Sequence, residues 1–294
     1  MKLRCTVQNP ENQKSGRLKG IPFLLFFLLL IALYLQYSHI VFCEAIGLSS
    51  FKKIEAGVFV SEKIPAENHA FISETLSKAR ERVAGFWGEK RGKAVVIVCA
   101  TASEYERYCH SREGAGCSLG TLYGSSFIVL NLHGINTDVI SHEMSHNELF
   151  GRLGWKKTTF DVPQWFNEGL SMMLDYRFVN ARDSLERFRG YLREWRIRTV
   201  PPAKKLSLEE ISSLNDFFNG DSRHVALAYL TAASEVSYWL MIVGRQGFRE
   251  WLGLFSSEGD FASYHEIERI YRQRLPAPVH DNPIRYLGRQ RPAE

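Results

Sequence analysis

Between Ala66 and Trp87 the apolar residues Phe71, Ile72, Leu76, Ala79, Val83 and Phe86 recur at three- and four-residue spacing. That period predicts an amphipathic helix with one buried face. The pattern then changes. Lys93–Ala100 carries the unbroken β-branched run Val95-Val96-Ile97-Val98, which reads as a strand covered on both faces. Ala56–Val60 reads as a short earlier strand, and Thr101-Ala102-Ser103-Glu104 as a capping signal opening a short helix. Ser126–Leu132 predicts another strand. Beyond Gly134, Asn136 or Thr137 caps a helix with Asp138 in its first turn. Gly151 is its natural stop. A polar loop from Arg152 to Phe160 leads to Asp161-Val162-Pro163-Gln164, a capping-box pattern with proline in the first turn. Further on, helical spacing dominates: 181–199, 206–214, 223–243, 247–255 and 264–274. The tail from 276 is rich in proline and arginine and is expected to be loosely ordered. Strands mixed with helices first, then helices alone, predict an α+β class.

The N-terminus has its own pattern. Lys2, Arg4, Lys14, Arg17 and Lys19 precede an apolar run from Ile21 to Leu35, and apolarity resumes at Ile40-Val41-Phe42-Cys43. A bilayer core needs about 20 such residues. Leading positive charge predicts a cytoplasmic N-terminus, with the rest of the chain outside the cytoplasm. The organisation expected is a basic N-terminus over 1–19, a transmembrane signal-anchor over 20–43, one folded domain over 44–275 and the tail over 276–294. A cleaved signal peptide ending at Ala45 is the rival reading.

Candidate chemistry sits on two of the predicted helices. His142-Glu143-Met144-Ser145-His146 places two histidines four apart, one turn along the same face, so both can aim a ring nitrogen at one zinc ion. Such a site needs a third protein ligand and an open position for water. Glu168, on the helix after Pro163, is the candidate, and Glu143 is placed to act as general base. Nine histidines in 294 residues produce this histidine–acid spacing by chance only about 0.03 times, which disfavours a purely structural pair. Glu148 is directed to another side of the helix, and Asp161 is read as a helix cap.

His142-Glu143-x-x-His146 followed by Trp165-x-x-Glu168-Gly169-Leu170 resembles the gluzincin zinc metallopeptidases, within the peptidase MA-like group. The resemblance in layout covers roughly residues 55 to 270. It implies one Zn2+ per chain on His142, His146 and Glu168, with Glu143 catalytic. It also implies a zincin-like fold over 44–275: a small twisted sheet on the active-site helix, then a mostly helical C-terminal part. The expected partners are a peptide or protein substrate and the lipid bilayer. The interval between His146 and Glu168 is longer than in the aminopeptidase branch. In gluzincins the edge strand near the metal pairs with substrate, a role that 126–132 would take here, the equal alternative being a plain sheet strand. A Tyr or His of a later helix often stabilises the oxyanion, which brings in Tyr229 or His224, although core packing is the expectation for Tyr229. The alternative is a zincin-like metal-binding module at the membrane that lacks proteolytic activity.

Composition adds little to this. The net charge of +5 is spread along the chain, and no nucleic-acid recognition motif is present. Of five cysteines, Cys99 is expected as a buried thiol. Cys109 and Cys117 flank a short loop that a disulfide would close in an oxidising compartment, in preference to a metal site with His110. Asp175 is expected as a solvated acid, its other role being to orient a ligand histidine. The arginines at 181–199 are expected as a solvated basic face.

Overall fold

The structure is a computed structural model and describes residues 21–112, 114–181, 183–200, 205–276 and 279–287. The basic N-terminus read over 1–19 lies outside the described residues. The fold is mixed α+β, with helix dominant and one small mixed sheet.

Helix α1 spans Ile21–Glu44, and β1 (Lys52–Glu55) and β2 (Val58–Val60) follow as a hairpin. The sequence pattern predicts one strand there, and the structure has two. Helix α2 (His69–Trp87) crosses to β3 (Val95–Val98). The short helix α3 (Ala102–Cys109) is capped as expected, the Thr101 side chain accepting from the Glu104 N–H. Next come β4 (Gly116–Gly120) and β5 (Ser126–Leu130). The strand order is β1-β2-β3-β5-β4; β2, β3 and β5 run parallel, and the two edges antiparallel. This corrects the edge assignment. The apolar run at 126–132 contributes the interior strand β5, buried throughout. The free edge near the site is β4, which begins at Gly116, just before Cys117, and runs to Gly120. Those two cysteines are joined by a disulfide, and Cys99 is a buried free thiol.

Helix α4 (Thr137–Phe160) lies across the sheet, capped by Asn136 accepting from the Val139 N–H. It does not stop at Gly151. The break falls at Gly154, whose φ of 75° leaves the helical region, and helix resumes through the stretch read as a loop. Gly151 serves another purpose: a Cβ there would meet the Arg91 carbonyl oxygen at 2.8 Å. Helix α5 (Gln164–Met172) starts from Pro163 without the capping-box bond, and Asp161 closes α4 instead. The remaining helices are α6 (Ser184–Arg198), α7 (Leu214–Phe218), α8 (Ser222–Glu258, kinked at Gly244) and α9 (Ser263–Arg272). The two helices read at 223–243 and 247–255 are thus one kinked helix. Arg187, expected in a solvated face, is buried and donates to the Met173 carbonyl oxygen at 2.6 Å.

Three cores result. One fills the space between the sheet, α2 and α4. A second lies on the other sheet face under α3. The largest joins α5, α6, α8 and α9. Within the stretch read as a loose tail, residues 279–287 are ordered by this last core. Ile284 is buried there, and Arg285 pairs with Glu235 of α8 and Glu268 of α9.

Among the described residues, two helices are long and apolar enough to cross a membrane. In α8 that apolar window is 78% buried, which makes it a core helix, whereas α1 exposes its window completely and fits a membrane anchor or a signal sequence. The last turn of α1 differs from expectation. Phe42 is partly buried and Cys43 wholly buried against α3, because the resumed apolar run docks on the folded domain.

Candidate metal centre

Helix periodicity sets His142 and His146 side by side on α4, ring centroids 4.9 Å apart and Nε2 atoms 3.2 Å apart. Helix α5 brings Glu168 against them. Its Oε2 is 3.3 Å from the His142 Nε2 and 3.5 Å from the His146 Nε2. All three side chains are largely withdrawn from solvent.

The position of α5 follows from close packing. Phe166 sits in an aromatic cluster with Trp239, Trp251, Phe261 and Tyr264. Gly169 lets α5 approach α8, since a Cβ there would come within 2.5 Å of the Val236 side chain and 2.7 Å of the Ala232 carbonyl oxygen. Arg82 of α2 pairs with Asp138 at the start of α4 and donates to the Leu174 carbonyl oxygen at 2.9 Å. Arg82 thereby ties the start of α4 to the turn that follows α5.

Neighbouring groups orient two of the three donors, His146 and Glu168. The Nδ1 of His146 lies 2.8 Å from the Asn167 Oδ1 and 3.2 Å from the Ser171 Oγ. A proton on Nδ1 facing Asn167 leaves the Nε2 lone pair directed at the centre. Gln164 donates from Nε2 to the Glu168 Oε1 at 2.7 Å. The Asp175 Oδ2 is 3.9 Å from the His142 Nδ1. Asp175 is fully buried and paired with Arg177, contrary to the solvated reading. A helix end at 172–175 turns this acid back toward α4, and strand or helix periodicity could not have located it. Gln164–Glu168 and Asn167–Ser171 are i,i+4 pairs on α5, a spacing signal that was available in the sequence.

The three donors fit a metal ion. Zinc–nitrogen and zinc–oxygen bonds of about 2.0–2.2 Å in tetrahedral geometry put neighbouring donor atoms about 3.3–3.6 Å apart. The observed separations of 3.2, 3.3 and 3.5 Å match this closely. The Glu168 Oε2 is buried and has no hydrogen bond of good geometry, a costly arrangement for a carboxylate oxygen unless a cation serves it. Burial alone would raise the Glu168 carboxyl pKa, yet the adjoining His146 and His142 hold it well below the usual range. His146 is affected oppositely: burial lowers it, but Glu168 raises it more, to about 9.

Glu143 neighbours the triad and points to the edge strand. A Cβ at Gly116 of β4 would lie 2.9 Å from its Cγ and 3.1 Å from its Oε1. Burial raises the Glu143 carboxyl, against the lowering effect of the two histidines. The Tyr229 ring packs 6.2 Å from the His142 ring and against Phe217 and Phe218. It therefore both packs and borders the centre. Its phenol is pushed well above the ordinary range, first by burial and then by Glu168 and Glu143. His224 is not brought there, its Nε2 lying 2.9 Å from the Asp216 carbonyl oxygen. Glu148 faces away, accepting from the Arg91 and Gly92 N–H groups. A cavity of about 320 Å³ lies elsewhere, between α2, the sheet and α4, lined by Val83, Trp87, Val96, Ile128 and Met144. Comparison with protein-family models, curated proteins and solved structures finds no match, so the geometry of the site is what supports a function.

Proposed function

We propose that this chain is a membrane-anchored zinc metallopeptidase of gluzincin type, with a zincin-like fold and α1 as its anchor. The observation that carries the proposal is the near-equilateral triangle of the His142 Nε2, His146 Nε2 and Glu168 Oε2 beside the buried carboxylate of Glu143. His142, His146 and Glu168 would hold the metal. When bound, zinc supplies Lewis acidity toward water and the scissile carbonyl.

The chain's own residues supply the rest. Glu143 accepts a proton from the attacking water and returns it to the departing amine. Asn167 and Ser171 fix the His146 ring, Gln164 fixes Glu168, and Asp175 faces the far nitrogen of His142. The Tyr229 phenol, kept protonated by its surroundings, is the group available to donate to an oxyanion. Substrate backbone adds to the free edge of β4, whose first residue is against Glu143.

The test is Glu143→Gln in the full chain. Expected is about one zinc per chain in both proteins, with hydrolysis of a reduced, unfolded polypeptide falling by about 10²–10⁴ in the variant. Zinc without turnover in the parent chain would instead establish a metal-binding module. No zinc in a folded parent would overturn the site.

A further inference from the structure

Arg177 places a cation beside the metal centre that the proposed reaction leaves unused. It sits in the turn after α5, and that turn is fixed. The Tyr176 N–H donates to the Asp138 carboxylate at 3.1 Å, and the Tyr176 ring carries the Arg82 and Arg187 guanidinium groups at 4.2 and 4.7 Å from its centroid. The Arg177 N–H donates to the Asp175 Oδ1 at 3.0 Å. A group already held in place loses little freedom when it takes a ligand.

The side chain is held as well. Nε donates to both Asp175 oxygens, at 2.9 and 3.1 Å, and Nη2 donates to Oδ2 at 2.5 Å. A guanidinium presents its donors in a planar fork. Asp175 fills the edge made by Nε and Nη2, and the Phe178 ring lies 5.7 Å from Cζ. The end edge, made by Nη1 and the second hydrogen of Nη2, has no hydrogen bond or ion pair among the described residues. Asp175 is fully buried while the Arg177 side chain is 44% exposed, so the open edge is the one that meets solvent.

That edge is close to the reacting centre. The Asp175 Oδ2 lies 3.9 Å from the His142 Nδ1. Followed through Asp175 and the His142 ring, the guanidinium stands no more than about 13 Å from the metal position. About four residues of extended chain cover that distance. Burial dominates the rise of the Glu143 carboxyl and of the Tyr229 phenol, and Arg177 is among the charges that oppose it at both. Two parallel N–H donors match the two oxygens of a carboxylate, and such a charge-assisted pair is stronger than a bond to a neutral carbonyl.

Resting on the peptidase reading above, we propose that Arg177 is a specificity-determining residue whose open edge binds a carboxylate of the substrate, within about four residues of the scissile bond. The substrates of this site are then acidic peptides, the carboxylate being an Asp or Glu side chain or the free end of the chain.

The test uses the full chain supplied with zinc and quenched-fluorescent decapeptides of neutral sequence with blocked ends. One set carries a single Glu stepped along the peptide, and a second carries Gln at the same places. A third has neither but ends in a free carboxylate. Expected is a kcat/KM about ten-fold or more higher for Glu than for Gln at one place near the cut. The same gain confined to the third set would assign the edge to a chain end. Arg177→Gln should bring the ratio to about one, and Arg177→Lys, which keeps the charge and loses the fork, should retain part of it. Equal turnover of all three sets by the parent chain, a comparison that needs no variant, would overturn the proposal. So would a ratio left unchanged in Arg177→Gln while every peptide is cut more slowly, which is the mark of a purely structural partner of Asp175. If no peptide is cut, the peptidase reading fails. Binding of the same peptides to the zinc-supplied chain, followed by fluorescence anisotropy, then decides the carboxylate assignment from the Glu-to-Gln affinity ratio and its loss in Arg177→Gln.

Discussion

Gln164 holds one oxygen of Glu168 at 2.7 Å and leaves the other facing the two histidines. The amide makes the carboxylate a one-oxygen donor, because Oε1 is occupied and Oε2 has no competing hydrogen bond. Gln164→Ala is therefore expected to weaken zinc binding by about 10–100-fold, as loss of a group orienting a ligand typically does. Competition with a metal-buffering chelator measures this. Glu168→Ala removes the donor itself, and elemental analysis should find well below one zinc per chain after dialysis.

Tyr229 tests the oxyanion assignment. Removing its hydroxyl in Tyr229→Phe keeps the ring contacts with Phe217 and Phe218, so the fold and metal content should be unchanged. A fall of about 10²-fold in kcat with little change in KM is the expected loss of one transition-state donor. An unchanged kcat would reduce Tyr229 to a packing residue.

Gly116 is where the edge strand meets the base. Gly116→Val introduces a side chain where even a Cβ would come within 2.9 Å of the Glu143 Cγ. Turnover should drop by at least about 10²-fold from misplacement of the base, with zinc retained on the three untouched ligands. Parallel assays of metal and hydrolysis separate the two effects.

Arg285 joins Glu235 and Glu268, two buried carboxylates on different helices. Arg285→Met leaves both without that partner and is expected to cost about 3–5 kcal/mol in thermal unfolding. The same network sets a pH dependence. Burial pushes the Glu268 carboxyl up, but Arg285 and Arg272 bring it below its ordinary value of 4.5. A depressed folded pKa gives stability that is present above the unfolded value and is lost as pH falls through the folded one. Unfolding temperature should therefore drop below about pH 4.5, and Glu268→Gln should flatten part of that slope.

The two halves of the site were not equally legible. His142, Glu143 and His146 follow from helix periodicity, and Glu168 from the need for a third donor on a nearby helix. What the sequence concealed were contacts between distant segments. Gly116 and Gly120 disfavour a strand by local propensity, yet they form the edge because side chains there would collide with Glu143 and Phe150. Gly151 carries the mark of a helix stop, but it is a close-approach glycine, and the chain breaks at Gly154 instead. Asp175 reads as a surface acid until the turn after α5 buries it beside Arg177. Residues 279–287 show the same limit, because Pro-rich composition does not reveal that Arg285 has two buried carboxylates to meet.

The burial of Cys43 also sets a hydrophobic length. Drawing the last turn of α1 into hydrocarbon would strip Cys43 and Phe42 from Tyr108, so the folded domain acts as a depth stop. With α1 as the proposed anchor, the helix left to cross the hydrocarbon runs over residues 21–38, about 27 Å long. Hydrocarbon cores average about 30 Å, and a span shorter than its bilayer cannot tilt without deepening the mismatch. A helix anchored in that way would stand near the membrane normal, in a bilayer that is thin or locally thinned around it.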